Sequence, residues 1–459
     1  MENFWDSDVW GSVMIFTVLL ASLLVGNIVK KATPFMQNSL IPTSVIGGGI
    51  LIIVAAIYKA ITGDVMFDTA IFGGDGTAKL EIITYHTLAL GFIASAFKSS
   101  DGKLSKKRVT EIFNTGVTTV STYLIQAIAG LTVTLIAALV ISGFFKAAGI
   151  LLPFGYGQGT GQAMNYGNIY ETQNGFVGGK SFGLTIAALG FLSASFGGVI
   201  HLNIMKKRGK FRAAGNKDKL NTEVVESENE IPMQESIDKM TVQIALIFVG
   251  YALSYILMYL LGLALPGMKS TVYGFNFLLG VLSATVVKAV INFLRKKNVV
   301  KKDYVNNFLM TRASNFFFDV MVVAGIAAIR LDVLEKYWGI MLILGVVGLF
   351  VTYTYNRLVA VTLFKDYPEE QFLAMYGMLT GTASTGIILL REIDGEFKTP
   401  AADNLVYQNF PAIVFGFPIM LLANFAPYKP ELTLIILIAF FLVMNLILFR
   451  SFIFRRRKK

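Results

Sequence analysis

Runs of apolar residues long enough to cross a lipid bilayer recur along the whole chain. Two of them read VMIFTVLLASLLVGNIV (13–29) and LTLIILIAFFLVMNLILF (432–449), and each approaches the roughly 20 residues that a spanning helix needs. Only 15% of the 459 residues are charged, whereas soluble domains carry about 25%. The sequence therefore predicts an all-α polytopic membrane protein.

Eleven apolar segments form two sets of five and one further segment. The first set covers about 10–30, 42–60, 82–98, 111–142 and 181–205, the second about 240–264, 271–294, 309–330, 337–364 and 403–425, and the last segment about 431–454. A more polar, glycine-rich segment lies between the fourth and fifth members of each set. These two segments cover about 150–175 and 373–392.

Lys and Arg are concentrated in every second connection between the apolar segments. They form KSSDGKLSKKR (98–108), KKRGKFR (206–212), RKKNVVKK (295–302) and the terminal RRRKK (455–459). Because positively charged loops stay in the cytoplasm, this pattern predicts an external N-terminus, eleven crossings and a cytoplasmic C-terminus. It also accounts for the net charge of +11 without nucleic-acid binding.

If the two polar segments crossed the membrane, the orientation of the chain would reverse after each of them. Later basic loops would then lie outside, against the rule that positive loops stay in the cytoplasm. Each is therefore predicted to be a re-entrant hairpin, the first entering from outside and the second from the cytoplasm. Because five crossings is an odd number, the second set is inserted upside down, which is typical of transporters. We predict a first repeat at 1–205, a charged cytoplasmic linker at 206–239, an inverted second repeat at 240–426, and an extra transmembrane helix with a basic tail at 427–459.

The hairpins supply the candidate substrate site. Non-helical backbone persists at membrane depth only where protein or a water-filled cavity surrounds it, and half-helices there point amides at anions while unwound carbonyls coordinate sodium. Glycine-mediated helix packing is the alternative. The candidate substrate-binding residues are Gly157, Gln158, Gly159, Thr160, Gly161, Gln162 and Asn165 in the first hairpin, and Gly381, Thr382, Ser384, Thr385 and Arg391 in the second.

Four polar residues in the second set are candidate ligands for sodium or a proton. Asp319 follows Asn315 by one helical turn, and an intramembrane carboxylate is usually functional; a salt bridge or a packing role is the alternative. Gln408 and Asn409 lie just inside the tenth segment, where lining and capping roles are both open. Arg391 could fork a substrate carboxylate, pair with Glu392, or mark the cytoplasmic surface.

Other chemistries lack their motifs. The chain has no cysteine and contains no P-loop, HExxH or GxGD motif and no Ser–His arrangement within the spans, so we expect no enzyme, no cofactor and no metal beyond sodium. The stretch PFGYGQG (153–159) shares GYG with the potassium-channel filter TVGYG. A channel with a glycine-rich pore loop therefore remains an alternative, although eleven crossings suit a carrier better.

Three stretches resemble the bacterial glutamate:sodium symporters, which are related in fold to the hydroxycarboxylate transporters. IPTSVIGGGILI (41–52) resembles that family's IPEPVAGG, and GYGQGTGQAMNYG (155–167) resembles its SGGHGTGAAW hairpin, with Gln158 in place of histidine. YGMLTGTASTGI (376–387) resembles its GFGLGATPTAI hairpin, and the two match at Gly381, Thr385 and Ile387.

This resemblance implies sodium-coupled uptake of glutamate or a similar small acidic amino acid or dicarboxylate. It also implies a homodimer in the bacterial cell membrane, in contact with membrane lipids, whose hairpin-bearing core moves against a scaffold in an elevator-type cycle. A proton-coupled carrier of another organic anion is a further alternative.

Overall fold

A computed structural model describes residues 3–38, 41–98, 105–208, 237–266, 269–299, 302–394 and 398–451, and its regular structure is helical, with no strand in these ranges. Most of the predicted linker at 206–239 lies outside them. The first half of the chain forms α1 (Ser7–Ala32), α2 (Pro34–Asn38), α3 (Thr43–Thr62), α4 (Gly76–Phe97), α5 (Lys106–Val140), α6 (Leu151–Asn174) and α7 (Gly179–Lys207).

The second half continues the all-helical pattern. It forms α8 (Lys239–Ala264), α9 (Lys269–Gly274), α10 (Asn276–Lys296), α11 (Asn307–Ala327), α12 (Trp338–Leu363), α13 (Pro368–Thr380), α14 (Ala383–Arg391), α15 (Ala401–Tyr407), α16 (Asn409–Phe425) and α17 (Pro430–Leu448).

Ten helices in the described ranges are long and apolar enough to cross a membrane: α1, α3, α4, α5, α7, α8, α10, α11, α12 and α17. Many of their apolar side chains face outward, among them Leu139 at 85% and Phe350 at 62% exposure. Such an apolar surface is costly in water and favourable in lipid. The prediction of an all-α polytopic membrane protein is therefore confirmed.

The segment predicted at about 403–425 forms α15, which ends at Tyr407, and α16, which begins at Asn409 and with 17 residues is shorter than the ten candidate spans. Gln408 between them has helical φ and ψ; its N–H donates to the Asn404 carbonyl oxygen and its carbonyl oxygen accepts from the Ala412 N–H. Pro411 has no N–H to donate to the Tyr407 carbonyl oxygen, so one helical hydrogen bond is missing at this point.

α6 is interrupted at Gly159, whose φ of 78° and ψ of −170° lie outside the helical region. The rings of Phe154 and Tyr166 stack with their centroids 4.0 Å apart, whereas twelve residues of unbroken helix would span about 18 Å. The two halves of α6 therefore fold back on each other at Gly159. Glycine is needed here because other residues are strained at this φ and ψ.

A second break separates α13 from α14. Gly381 and Thr382 are both non-helical, and the Thr382 hydroxyl caps α14 by accepting a hydrogen bond from the Thr385 N–H at 3.4 Å. A methyl group built on Gly377 would lie 2.8 Å from the Gly386 Cα. Nine residues of continuous helix would separate these two positions by about 13 Å, so α14 folds back along α13.

The helices pack in two groups around these breaks. In one group α1 packs on α3, α3 on α11, α11 on α4, α4 on α10, and α10 on α8. In the other, α5 packs on α12, α16 and α17, while α7 packs on α6 and α12, and α13 packs on α12 and α14. α6 also contacts α4 and α11, so its break lies where the two groups meet.

Candidate functional site

The two helix breaks lie against each other inside the protein. A methyl group built on Gly159 would lie 3.6 Å from the Thr382 Cγ2 and 3.8 Å from the Gly381 carbonyl oxygen, which is ordinary van der Waals distance. The break in α6 and the break between α13 and α14 are 222 residues apart in sequence, from 159 to 381. The fold therefore brings the two glycine-rich segments together, as the paired-hairpin prediction requires.

A cavity opens beside this contact, between the two helix groups. Its walls come from α4, α5, α10, α11 and α16 as well as from the breaks, and they contain no Asp, Glu, Lys or Arg among the described residues that line it. A solute there would meet mostly apolar side chains, including three phenylalanines and three methionines, and a smaller number of amides, hydroxyls and backbone groups. Six of the predicted site residues line it: Gly157, Gln158, Gly381, Thr382, Gln408 and Asn409.

The remaining predicted residues of the first segment pack against neighbouring helices. The Thr160 hydroxyl donates to the Met321 carbonyl oxygen at 3.2 Å, and Gly161 packs on Leu88. The Asn165 amide donates to the Gly274 carbonyl at 2.7 Å. Another hydrogen bond of that amide, at 3.1 Å, is accepted by Gln162. These contacts hold the second half of α6 in place and leave the four residues outside the cavity walls.

Three predicted residues of the second segment lie on α14. Thr385 is fully buried in its first turn, beside the Thr382 hydroxyl. The side chain of Ser384 lies outside the described part of the structure. Arg391 is exposed in the last turn of α14, nine residues beyond Thr382, which corresponds to about 13 Å along a helix. Arg391 therefore does not reach the cavity.

Asp319 and Asn315 share an exposed face of α11. The Asp319 carboxylate accepts a hydrogen bond from the hydroxyl of Ser44, at the start of α3. The neighbouring Phe318 and Met321 line the cavity, whereas Asp319 does not. The structure thus separates Asp319 and Asn315 from Gln408 and Asn409, with which they were grouped as ion ligands.

One stretch of α5 contacts both breaks and also Gln408, between α15 and α16. The Thr119 hydroxyl donates to the Gln408 Oε1 at 2.8 Å, and the Tyr123 hydroxyl donates to the Gly157 carbonyl at 3.1 Å. The Gln126 amide donates to the carbonyl oxygen of Leu379 at 2.9 Å. The carbonyls of Gly157 and Leu379 each belong to the last helical turn before a break, where no helical N–H is available to bond them.

Sequence reasoning missed this stretch of α5. Its residues read TTVSTYLIQ (118–126), in a 35-residue helix that is otherwise strongly apolar. The available signal is the pentapeptide TYLIQ (122–126), because α12 carries the similar stretch TYTYN (352–356). The two stretches share Thr-Tyr at the first two positions and an amide at the fifth.

A second cavity continues from the first towards one end of the helix bundle. The two share Phe92, Ser95, Asn409 and Ile413 in their walls, and the second extends to Lys98, Asn307 and Tyr407. Lys98 follows the last residue of α4, and Asn307 begins α11. The second cavity therefore lies towards the end of the bundle at which α4 ends and α11 begins, close in sequence to the basic segments 98–108 and 295–302.

No protein-family model matches this chain, and no curated protein is significantly similar to it. The function must therefore be argued from the geometry of the two breaks and the cavity.

Proposed function

We propose that the chain is a sodium-coupled secondary active transporter for a small organic anion such as glutamate. The observation that carries the proposal is the contact between two non-helical segments beside a cavity. Discontinuous helices that meet near the midplane are typical of secondary transporters, since their free backbone groups bind substrate and coupling ion. In this proposal the two segments are re-entrant hairpins and belong to inverted repeats.

Helix packing supports the inverted repeats. Gly48 of α3 packs on Val323 and Ile326 of α11, while Gly280 of α10 packs on Ile93 of α4, near the Ala89 carbonyl. In the proposed repeats, α3 of the first corresponds to α10 of the second, and α4 corresponds to α11. The contact between α3 and α11 therefore corresponds to the contact between α10 and α4, as expected for a two-fold axis in the membrane plane.

Hydrogen bonds between α5 and α12 support the same relationship. The Gln126 Nε2 donates to the Thr352 Oγ1 at 2.8 Å, and the Asn356 Nδ2 donates to the Thr122 Oγ1 at 3.4 Å. The amide at the end of each pentapeptide thus donates a hydrogen bond to the threonine at the start of the other pentapeptide. Reciprocal contacts of this kind are expected where a two-fold axis relates the partners.

The lining of the cavity favours a small anion held by neutral groups. The half-helix that follows Gly381 begins at the contact between the breaks, and Thr382 and Ala383 at its start line the cavity, so its N-terminal amides carry partial positive charge there. Thr382, Gln158 and Asn409 add hydroxyl and amide groups. Binding a carboxylate in this way needs no arginine, which is consistent with the position of Arg391 outside the cavity.

The rest of the proposal follows the resemblance and the charge pattern. The chain would be a homodimer in the bacterial cell membrane, surrounded by lipid, with its N-terminus outside and its C-terminus in the cytoplasm. The group of helices containing α5, α6, α12 and α13 would move against the group containing α4, α10 and α11. The cavity between the two groups supports a movement at that boundary.

Uptake into proteoliposomes tests this function. Labelled acidic amino acids, dicarboxylates and tricarboxylates are offered with an inward sodium gradient, with a proton gradient, and with neither. We expect accumulation of one class of anion that requires sodium. Accumulation that follows only the proton gradient would favour the proton-coupled carrier. Unitary currents in a planar bilayer, without coupled solute movement, would favour the channel and overturn the proposal.

A further inference from the structure

Two buried amide oxygens at the contact between α5 and α12 have no hydrogen-bond partner among the residues that the structure describes. They are the Gln126 Oε1 and the Asn356 Oδ1. The side chains are 0% and 2% exposed, respectively, so bulk water does not reach them. Buried polar atoms of this kind are rare in native proteins, and an internal water or ion is a common reason for them.

The two amide groups meet at the same residue. The Gln126 Nε2 lies 2.8 Å from the Thr352 Oγ1, and the Asn356 Nδ2 lies 2.9 Å from the Thr352 carbonyl oxygen. The oxygen and nitrogen of an amide are bonded to the same carbon. Each unpartnered oxygen therefore lies within one hydrogen-bond length plus the width of one amide group from Thr352. The fully buried hydroxyl of Thr122 lies beside them. The amide and hydroxyl groups of Gln126, Asn356, Thr122 and Thr352 therefore lie near one another at the buried contact between the two helices.

The end of α13 adds negative partial charge at this point. The Gln126 Nε2 also donates to the Leu379 carbonyl oxygen at 2.9 Å, and Leu379 lies in the last turn of α13. The C-terminal end of a helix carries partial negative charge. A cation is favoured there, whereas an anion is not.

The oxygens are neutral, which limits the ion to a single charge. Divalent ions in proteins are usually bound by carboxylates, and the described residues contain no cluster of three or more Asp, Glu, His or Cys that could hold a metal. Oxygen atoms of amides, hydroxyls and backbone carbonyls suit hard cations. Unwound carbonyls and half-helix ends are the ligands that sodium uses in transporters.

We propose a sodium site at the contact between α5 and α12, with the Gln126 Oε1 and the Asn356 Oδ1 as ligands. The hydroxyls of Thr122 and Thr352 complete it. An ion held by the Gln126 oxygen fixes the same amide whose nitrogen holds the last turn of α13. Sodium binding therefore orders the chain before Gly381, and so the wall of the cavity. Its role as a coupling ion rests on the proposed transport function, whereas its binding does not.

Thermal unfolding of the purified full-length protein in detergent tests the site without any transport. The protein is heated in sodium chloride, potassium chloride or choline chloride at equal ionic strength. We expect sodium to raise the melting temperature along a saturable curve, as a ligand of the native state does, and potassium and choline to raise it less. Equal curves in the three salts would overturn the proposal.

Two substitutions assign the effect to these oxygens. Gln126→Leu removes one ligand at similar volume, and we expect it to raise the half-saturating sodium concentration at least tenfold. Asn356→Leu removes the second ligand, so we expect it to raise that concentration as well. The second variant keeps the test decisive if the first does not fold. Unchanged sodium curves in both variants would mean that an internal water satisfies these oxygens.

Gln243→Leu is the matched control. Gln243 is a fully buried glutamine of α8 whose amide donates to the Tyr304 carbonyl at 2.8 Å and accepts from the Asn306 N–H at 3.0 Å. We expect this variant to melt at a lower temperature with an unchanged sodium dependence. If wild-type uptake needs sodium while the Gln126→Leu sodium curve is unaltered, the site is wrong and the transport function stands.

Discussion

The His201 Nε2 lies 2.9 Å from the Glu369 Oε2 and ties the first turn of α13 to α7. Arg357 of α12 donates to both oxygens of the same carboxylate, at 2.5 and 2.8 Å. α13 leads directly to the break at Gly381, so this cluster holds the first turn of the helix that precedes the break. Bidentate charge-assisted hydrogen bonds of this kind are about twice as strong as neutral ones.

Neutralising Glu369 should weaken the attachment of the first turn of α13 to α7 and α12. Burial raises the pKa of Glu369, but the hydrogen bonds from His201 and Arg357 outweigh it and lower the pKa from 4.5 to about 2. The carboxylate therefore stabilises the fold above about pH 4.5, and this stabilisation is lost as the pH falls towards 2. We expect Glu369→Gln to cost about 2 kcal/mol at pH 7, measured by thermal unfolding in detergent.

The pH dependence separates this effect from a general loss of stability. The difference between wild type and Glu369→Gln should shrink as the pH is lowered from 4.5 towards 2. Asp366→Asn is the control, because Asp366 forms an exposed pair with Lys107 and such pairs contribute little. A difference that stays constant between pH 7 and pH 3 would contradict the role assigned to the carboxylate.

Alanine at Gly159 should destabilise the first break through the backbone alone. A methyl group would meet only atoms at 3.6 Å or more, so space is available, but a φ of 78° with a ψ of −170° is nearly restricted to glycine. We expect Gly159→Ala to cost about 1–3 kcal/mol and to reduce uptake. Gly49→Ala is the control, since Gly49 is helical and open; equal melting temperatures for the two variants would contradict this account.

Thr160 and Thr382 should respond differently to the loss of their hydroxyls. Thr382 lines the cavity and caps α14, whereas Thr160 is fully buried and donates to Met321. We expect Thr382→Val to raise the KM for uptake about tenfold, equivalent to ~1.4 kcal/mol. Thr160→Val should instead lower the stability by about 1 kcal/mol with little change in KM. Thr382→Ser should restore the wild-type KM, and a raised KM in Thr160→Val alone would reverse the assignment.

Apolar periodicity predicted the helices well because lipid imposes it on every span. The segment predicted at about 181–205 is the helix Gly179–Lys207, and similar agreement holds along the chain. The boundary at Gln408 was not predicted, although Pro411, which lacks the N–H for a helical hydrogen bond to the Tyr407 carbonyl oxygen, is visible in the sequence. The hydrogen bond that the Thr119 hydroxyl donates to the Gln408 side chain, from 289 residues away, could not be predicted from local sequence.

The sequence predicted which two segments form the candidate site, but it did not predict which residues line the cavity. Glycine content indicated where the helix would break, yet the non-helical backbone at Gly159 changes which side chains face which neighbour. Gln158, just before the break, lines the cavity, whereas Thr160, just after it, faces α11. The contribution of α5 was hidden because Tyr123 and Gln126 lie within a long apolar helix, where polar residues usually serve helix packing.

Asp319 is still predicted to take part in ion coupling. It lies on the exposed face of α11 and accepts a hydrogen bond from Ser44 of α3. A carboxylate within a predicted span is costly and is usually functional. We expect Asp319→Asn to shift the sodium or proton dependence of uptake about tenfold, or ~1.4 kcal/mol. Ser44→Ala removes the hydrogen-bond partner but keeps the charge, and it should have a smaller effect. Unchanged ion dependence in Asp319→Asn would assign the residue to structure.

Access to the cavity should be from the end that carries the basic segments. Ser95 and Asn409 line both cavities, and the second cavity reaches Lys98 and Asn307. Because the chain has no cysteine, Ser95→Cys and Asn409→Cys each introduce a single thiol. We expect a membrane-impermeant maleimide to modify both at least about tenfold faster in inside-out vesicles than in right-side-out ones, since thiol reactivity requires access.

Ser193→Cys is the control for this access, because Ser193 is buried and bonded to the Tyr156 hydroxyl at 2.8 Å. It should react slowly from both sides of the membrane. Faster labelling of Ser95→Cys and Asn409→Cys in right-side-out vesicles would mean that the basic segments face outward or that the cavity opens to the other side. Labelling the basic tail in the same vesicles separates these two cases, since the tail reports orientation independently of the cavity.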